Sequence, residues 1–310
     1  MNILSSVLPI LVMIGIGMLC RKIKLLSGTG TREIKSFITS IVLPVAVFHA
    51  LATADYESHM VILFLCMLIV LFISFGLGLL LRPLIPEKYN RYLPFITSVY
   101  EGGMMAYPLY TNLFGEENLA NIAIFDIATM LFFFSFSTAM LQSVNSGNKM
   151  KLSEMVKNAF RSPVFIAVIL GIACGISGIL KNMLGTDLGT VYMSTKSMIT
   201  TVLNSLILIV IGYDFDFDKT RVKIAIRAIF ARVLTQGLLL VPFAFVIRYL
   251  YPGNLLMHAA LFVYMSAPPS FSMQTYIREE EPSKLAATTT SLYMLVTLAA
   301  YTMIAVTFVK

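Results

Sequence analysis

Glu101, Gly102, Gly103, Tyr107 and Pro108 lie together in the middle of a long apolar stretch, Tyr92 to Gly115. An ionised acid at the centre of a membrane helix costs roughly 3 kcal/mol on insertion scales. Glycine lowers helix propensity, and Pro108 has no N–H to give the carbonyl of Met104. The spacing therefore predicts an unwound backbone from Gly102 to Tyr107. Non-helical backbone in lipid survives only where protein covers it or it lines a cavity, because an unpaired peptide group there is costly. The chemistry such a break offers is binding: free N–H groups, half a positive charge where a helix restarts near Pro108, and a titratable carboxylate.

A second break is predicted at Pro268 and Pro269, which remove donors toward the carbonyls of Tyr264 and Met265. A residue before proline is pushed out of helical geometry, so Tyr264 to Ala267 reads as extended, with a half-helix restarting near Pro269. Two restarted helix ends facing each other favour an anion. Ser266, Ser270, Ser272 and Gln274 add neutral hydrogen-bonding groups around the second break, and Tyr100 and Tyr107 flank the first.

Glu101 admits three roles. Protonated before an anion enters, it couples solute to a proton; as an oxygen ligand it suits Na⁺; paired with a buried Lys or Arg it is structural. Asp126 is a second acid inside an apolar segment, and Arg232, with Gln236 one turn on, could countercharge an anion or snorkel to the interface. His49 reads as a hydrogen-bonded helix residue, and Asp55, Glu57, Asp214, Asp216 and Asp218 as solvated helix ends.

The elements that must position these residues are membrane helices. The chain is 58% hydrophobic and 13% charged, with a mean hydropathy of +0.84, whereas soluble domains carry about 25% charge. Met1-Asn2-Ile3 supplies no positive n-region and no small-x-small site follows, so residues 2–20 are read as a retained helix. Ten apolar segments follow one another, at about 2–20, 33–52, 59–81, 92–113, 119–142, 162–180, 191–212, 224–250, 255–277 and 284–308. Loops after the odd-numbered segments hold nineteen of the 23 basic residues and the alternate loops three. Cytoplasmic loops are rich in Lys and Arg, so both termini are expected outside the cytoplasm. The same rule accounts for the net charge of +7 without a nucleic-acid partner.

The halves resemble each other. Lys35-Ser36-Phe37-Ile38-Thr39-Ser40 is similar to Lys196-Ser197-Met198-Ile199-Thr200-Thr201, and an offset of 166 lays Gly102-Gly103 on Pro268-Pro269 and Tyr110 on Tyr276. Each half holds an odd number of helices, so the repeat is inverted, a design shared by many secondary transporters. The expected fold is therefore an all-α polytopic membrane protein of ten transmembrane helices, with broken, crossing helices 4 and 9. Residues 1–142 form the first five-helix repeat, 143–161 a cytoplasmic linker and 162–310 the second, inverted repeat. Gly15-x-Gly17, Gly76-x-Gly78 and Gly171-x-x-x-Gly175 read as close helix packing, and Cys20, Cys66 and Cys174 as inert packing residues.

Three motifs carry a family resemblance. They are Leu43-Pro44-Val45-Ala46-Val47-Phe48; Glu101 to Pro108 followed by Leu113-Phe114-Gly115; and Ser266-Ala267-Pro268-Pro269 with Gln274-Thr275-Tyr276-Ile277. In this order along nearly the whole chain they resemble the auxin efflux carrier family, bacterial branch, within the bile-acid-symporter-like group. The resemblance implies a scaffold of helices 1, 2, 6 and 7 beside a mobile bundle, organic-anion cargo such as auxin, malonate or malate, and homodimers in several members. It also matches Asp126 to an acidic position. Glu101 departs from the family's usual Asn, Ala106 from a Gly, and Gln274 from a second Asn.

No His-Glu-x-x-His, Gly-x-Ser-x-Gly or phosphate loop is present, so neither an enzyme nor a nucleotide-driven pump is expected. The expectation is an alternating-access carrier in the plasma membrane, moving a small organic anion, with H⁺ or Na⁺ coupling and no metal or other cofactor. Its substrate site would comprise Glu101, Gly102, Gly103, Tyr107, Pro108, Ser266, Pro268, Pro269, Ser270 and Gln274, with Glu101, Asp126 and Arg232 as coupling charges. A sodium-coupled symporter and a membrane receptor without net transport are the alternatives.

Overall fold

A computed structural model describes residues 3–54, 58–146, 160–214 and 221–308, with backbone alone for 3–7, 58, 146, 272, 274 and 275. Asp55, Glu57, Asp216 and Asp218, and most of the expected linker, lie outside the described residues. The described chain is all-helical, without strands. Six helical spans are long and apolar enough to cross a membrane: Gly28–Thr53, His59–Leu80, Glu116–Asn145, Asp187–Asp214, Val222–Leu250 and Glu280–Phe308. Apolar helices Ile3–Lys22, Pro163–Ser177 and Leu255–Met265 accompany them, with three short helices at the breaks, Leu93–Ser98, Tyr107–Phe114 and Phe271–Tyr276. Leu80, Leu170, Ile176, Leu238, Phe245 and Met303 are exposed on outer helix faces. An apolar girdle of this extent is matched by hydrocarbon, not by water.

Caps follow from local sequence. The Ser162 hydroxyl accepts from the Phe165 N–H (3.3 Å), with Pro163 in the first turn, and the Asn254 side chain accepts from the Met257 N–H (3.0 Å). Pro163 fits there because first-turn N–H groups have no intrahelical partner. The span Asp187–Asp214, expected as one helix from 191, is interrupted between Thr200 and Leu203.

The helices pack in two groups. In one, Ile3–Lys22 crosses Leu203–Asp214 at Gly17 and Gly212, and Pro163–Ser177 lies along Leu43–Thr53. A Cβ at Gly17 would fall 2.0 Å from the Ile209 carbonyl, and one at Gly212 2.0 Å from that of Ile14, so only glycine permits this approach. Gly171 sits against Leu51 and Phe48 in the same way. Gly15 and Gly76 face open space and take no part. The other group joins Ser58–Leu80, Leu93–Ser98, Leu119–Phe132, Val222–Leu250, Leu255–Met265 and Glu280–Phe308. Its core includes edge-to-face rings of Phe75 with Phe95 and Phe136, at 5.2 and 5.0 Å. Such ring pairs add about 1 kcal/mol each beyond buried area.

Candidate functional site

The first break is shorter than expected and lies upstream of the expected position. We label Leu93–Ser98 α1, Tyr107–Phe114 α2, Val222–Leu250 α3, Leu255–Met265 α4 and Phe271–Tyr276 α5. Only Val99 to Glu101 is non-helical, because Gly102–Ala106 forms a π-helical turn leading into α2. The Ala106 N–H donates to the Glu101 carbonyl (3.2 Å) and the Tyr107 N–H to that of Gly102. This wider turn accommodates Pro108, which would clash with the carbonyl four residues back in an α-helix. At the second break, Tyr264 and Met265 remain helical, against the expected extension from Tyr264. The interruption spans Ser266 to Ser270, and α5 restarts after Pro269, at Phe271. The prolines act on the residues next to them, not a full turn upstream.

The two breaks touch. The Glu101 N–H donates to the Pro268 carbonyl (2.9 Å). The carbonyls that the interrupted helices leave unpaired are collected by Arg232 of α3, which is wholly buried. One terminal nitrogen donates to the carbonyls of Ile96 and Val99 (2.9 Å for Val99), the other to Ala267 (3.0 Å). Gln236, one turn on, satisfies its neighbours with its amide oxygen toward the guanidinium, accepting from Nη2 (3.0 Å) and Nε (2.7 Å) while its nitrogen donates to the Met265 carbonyl (3.2 Å). All five guanidinium donors are thereby used. The rings of Tyr100 and Tyr293 stack on the cation at 4.6 and 5.2 Å. Arg232 therefore does not snorkel, and it does not line the cavity beside the breaks.

The N–H groups opened at the restarting helices are met by Glu101. Its Oε1 accepts from the Met104 N–H (3.3 Å), and its Oε2 from the Phe271 N–H (2.8 Å) and the Ser270 hydroxyl (3.2 Å). Among the described residues no Lys or Arg forms an ion pair with it, so the structural pairing weighed from sequence is not what holds it. Asp126 lies next to it, against Gly102, where a Cβ would come within 2.1 Å of Oδ1. The hydroxyls of Tyr107 and Tyr264 each donate to Asp126 at 2.8 Å.

These groups border a cavity of about 370 Å³, within the size range of small-molecule sites. Glu101, Asp126, Thr39, Thr129, Ser162 and Ser270 supply polar groups, and Leu43, Met104, Met130, Phe133, Phe134 and Val164 an apolar wall. Exposed Arg161 is the one basic side chain among the described lining residues. The cavity thus reaches the end of the protein where the loops are basic. At the other end the two helix groups are tied by Lys196 to Glu116 (2.7 Å) and by Asn204 to Thr111 (3.2 Å), beside His49 and Tyr192 (3.1 Å).

Of the residues expected at the site, Glu101, Gly102, Gly103, Ser270 and Asp126 line the cavity. Tyr107 reaches it only through Asp126. Pro108, Pro268 and Pro269 shape the backbone, and the Ser266 hydroxyl is turned back to the Val263 carbonyl (2.9 Å). The Gln274 side chain lies outside the described residues. Thr39, Thr129, Arg161 and Ser162 were not anticipated. Only the Arg161-Ser162-Pro163 run, a basic residue before a helix cap, carried a signal in sequence.

The model of the family described as "Membrane transport protein" matches residues 2–304. The chain belongs to that family. It is the auxin efflux carrier family that the motifs resemble, a family of transporters and not of enzymes. An uncharacterized transporter from Methanothermobacter thermautotrophicus is 24% identical over 225 residues, covering 71% of this chain and 70% of that relative. This family member is thus a membrane transport protein set in a lipid bilayer.

Proposed function

We propose that this protein is a secondary active carrier for a small organic anion, a carboxylate, working by alternating access with proton coupling through Glu101. The observation that carries the proposal is the bond from the Glu101 N–H to the Pro268 carbonyl beside a cavity open at one end. It joins two broken helices, of the kind that hold solute near the midplane in inverted-repeat transporters. Ten transmembrane helices in two inverted repeats, 1–142 and 162–310, account for the reciprocal packing of Ile3–Lys22 on Leu203–Asp214 and of Pro163–Ser177 on Leu43–Thr53. The scaffold is the first helix group and the moving bundle the second. With both termini outside the plasma membrane, the cavity faces the cytoplasm and the Lys196–Glu116 end is closed.

Charge movement in proteoliposomes on a solid-supported membrane tests this, with mono- and dicarboxylates at several pH values and Glu101→Gln beside wild type. Saturable currents whose pH dependence disappears in Glu101→Gln are expected. Currents that follow sodium instead of pH would replace the proton with Na⁺. Saturable binding without flux or exchange would make the protein a receptor.

A further inference from the structure

A carboxylate already sits where a carboxylate cargo would be received, and it belongs to the chain. Glu101 is 8% exposed, accepts three hydrogen bonds from Met104, Ser270 and Phe271, and borders the cavity with its neighbours Gly102, Gly103 and Met104. Cargo carboxylate and Glu101 carboxylate compete for the same donors, and two ionised acids there, beside Asp126, would repel each other. Protonation removes one of the charges and, with it, the strongest claim of Glu101 on the N–H groups, since charged acceptors bind about twice as strongly as neutral ones.

We propose that Glu101 is a tethered competitor: in the unloaded cavity it fills the cradle of the Met104 and Phe271 N–H groups and the Ser270 hydroxyl, and a monocarboxylate with an apolar tail displaces it, taking up one proton. This rests on the cavity being the solute site. The apolar wall of Leu43, Met130, Phe133 and Phe134 receives the tail, and Arg161 at the mouth attracts the head. The other charged groups around Glu101 are committed elsewhere. Asp126 accepts two tyrosine hydroxyls, Arg232 spends its donors on carbonyls and Gln236, and Lys35, 5.8 Å from the Phe271 ring, pairs with Asp214. Tyr100 and Tyr276 also border the cavity.

The test uses the full chain in lipid nanodiscs, with acetate as a tailless probe and hexanoate as a tailed one. In Glu101→Ala, millimolar acetate fills the vacated cradle and raises the unfolding temperature, while wild type at pH 8 does not respond. In wild type, over the pH range in which Glu101 of the empty cavity is ionised, hexanoate binding tightens by about tenfold for each pH unit lowered, the slope of one proton taken up per carboxylate bound. In Glu101→Gln that slope is lost. Acetate without effect on folded Glu101→Ala, or equal on both proteins, overturns the proposal, as does a slope that persists in Glu101→Gln, which would assign the proton to Asp126. Should Glu101→Ala fail to fold, the hexanoate slopes of wild type and Glu101→Gln decide alone. Saturable carboxylate currents without acetate rescue would remove the competitor and leave the carrier. Acetate rescue without flux of any acid would do the reverse.

Discussion

Arg232 and Glu101 form no ion pair with each other, yet between them they close both breaks from opposite sides. The guanidinium takes the carbonyls at the ends of α1 and α4, and the carboxylate takes the N–H groups where the chain re-enters helix before α2 and at α5. Each charge sits at the helix ends of opposite polarity, where a macrodipole favours it. A crossing of two unwound segments in lipid is thereby supplied with partners without water.

Arg232→Ala should be severely destabilising. It strands three buried carbonyls and Gln236, at about 1–3 kcal/mol for each group left unsatisfied. Arg232→Lys should recover only part, because an ammonium cannot span both breaks. Thermal unfolding in detergent, followed by size-exclusion chromatography, ranks wild type above Lys above Ala; equal stability of all three would contradict the pinning role.

Gly102→Ala should lower flux more than Gly103→Ala. The new Cβ at Gly102 meets Asp126, which two tyrosines hold in place, whereas at Gly103 it meets the end of the Leu43 side chain, 2.6 Å away and bordering the cavity. Overpacking of this kind costs about 1–3 kcal/mol where the neighbour cannot move. Transport rates normalised to membrane expression give the order, and a reversed order would place the rigid wall elsewhere.

Asp126→Ala and Tyr264→Phe should each reduce stability, by about 1–3 kcal/mol for loss of a buried hydrogen bond. The double variant should cost less than the sum, because the bond is lost only once. Additive losses in unfolding measurements would show that the hydroxyl and the carboxylate act independently.

Lys196–Glu116 and Asn204–Thr111 tie the helix groups at the closed end. Glu116 is half exposed, so breaking the ion pair alone should shift the equilibrium only about twofold, the effect of a few tenths of a kcal/mol. Asn204→Cys with Thr111→Cys, joined by a short bifunctional thiol reagent, should instead stop flux until the link is cleaved. Flux persisting through the cross-link would mean that this end does not open.

A cysteine placed near Gly147 should resist impermeant thiol reagents applied to intact cells and react in inverted vesicles. Labelling from outside would reverse the orientation, because loops rich in Lys and Arg face the cytoplasm.

Much of this was legible in the chain itself. Hydrophobic runs of membrane length, basic loops, and glycine and proline in the middle of spans are local properties, so class, family and the existence of two breaks followed from residue order. The offset of 166 that lays Gly102-Gly103 on Pro268-Pro269 already matched them. What residue order could not show was which atoms answer the open backbone groups. Glu101 and Phe271 lie 170 positions apart, and Arg232 and Ile96 136. Arg232 read as a countercharge or an interface residue, because its five donors could be assigned only once the carbonyls of Ile96, Val99 and Ala267 had converged on it. Nor did residue order show that the helix before Pro108 widens into a π-helical turn instead of unwinding. Composition and pattern set which two spans must break; tertiary contact decided where each opens and how it is satisfied, because the unpaired groups of one helix are met by side chains of another.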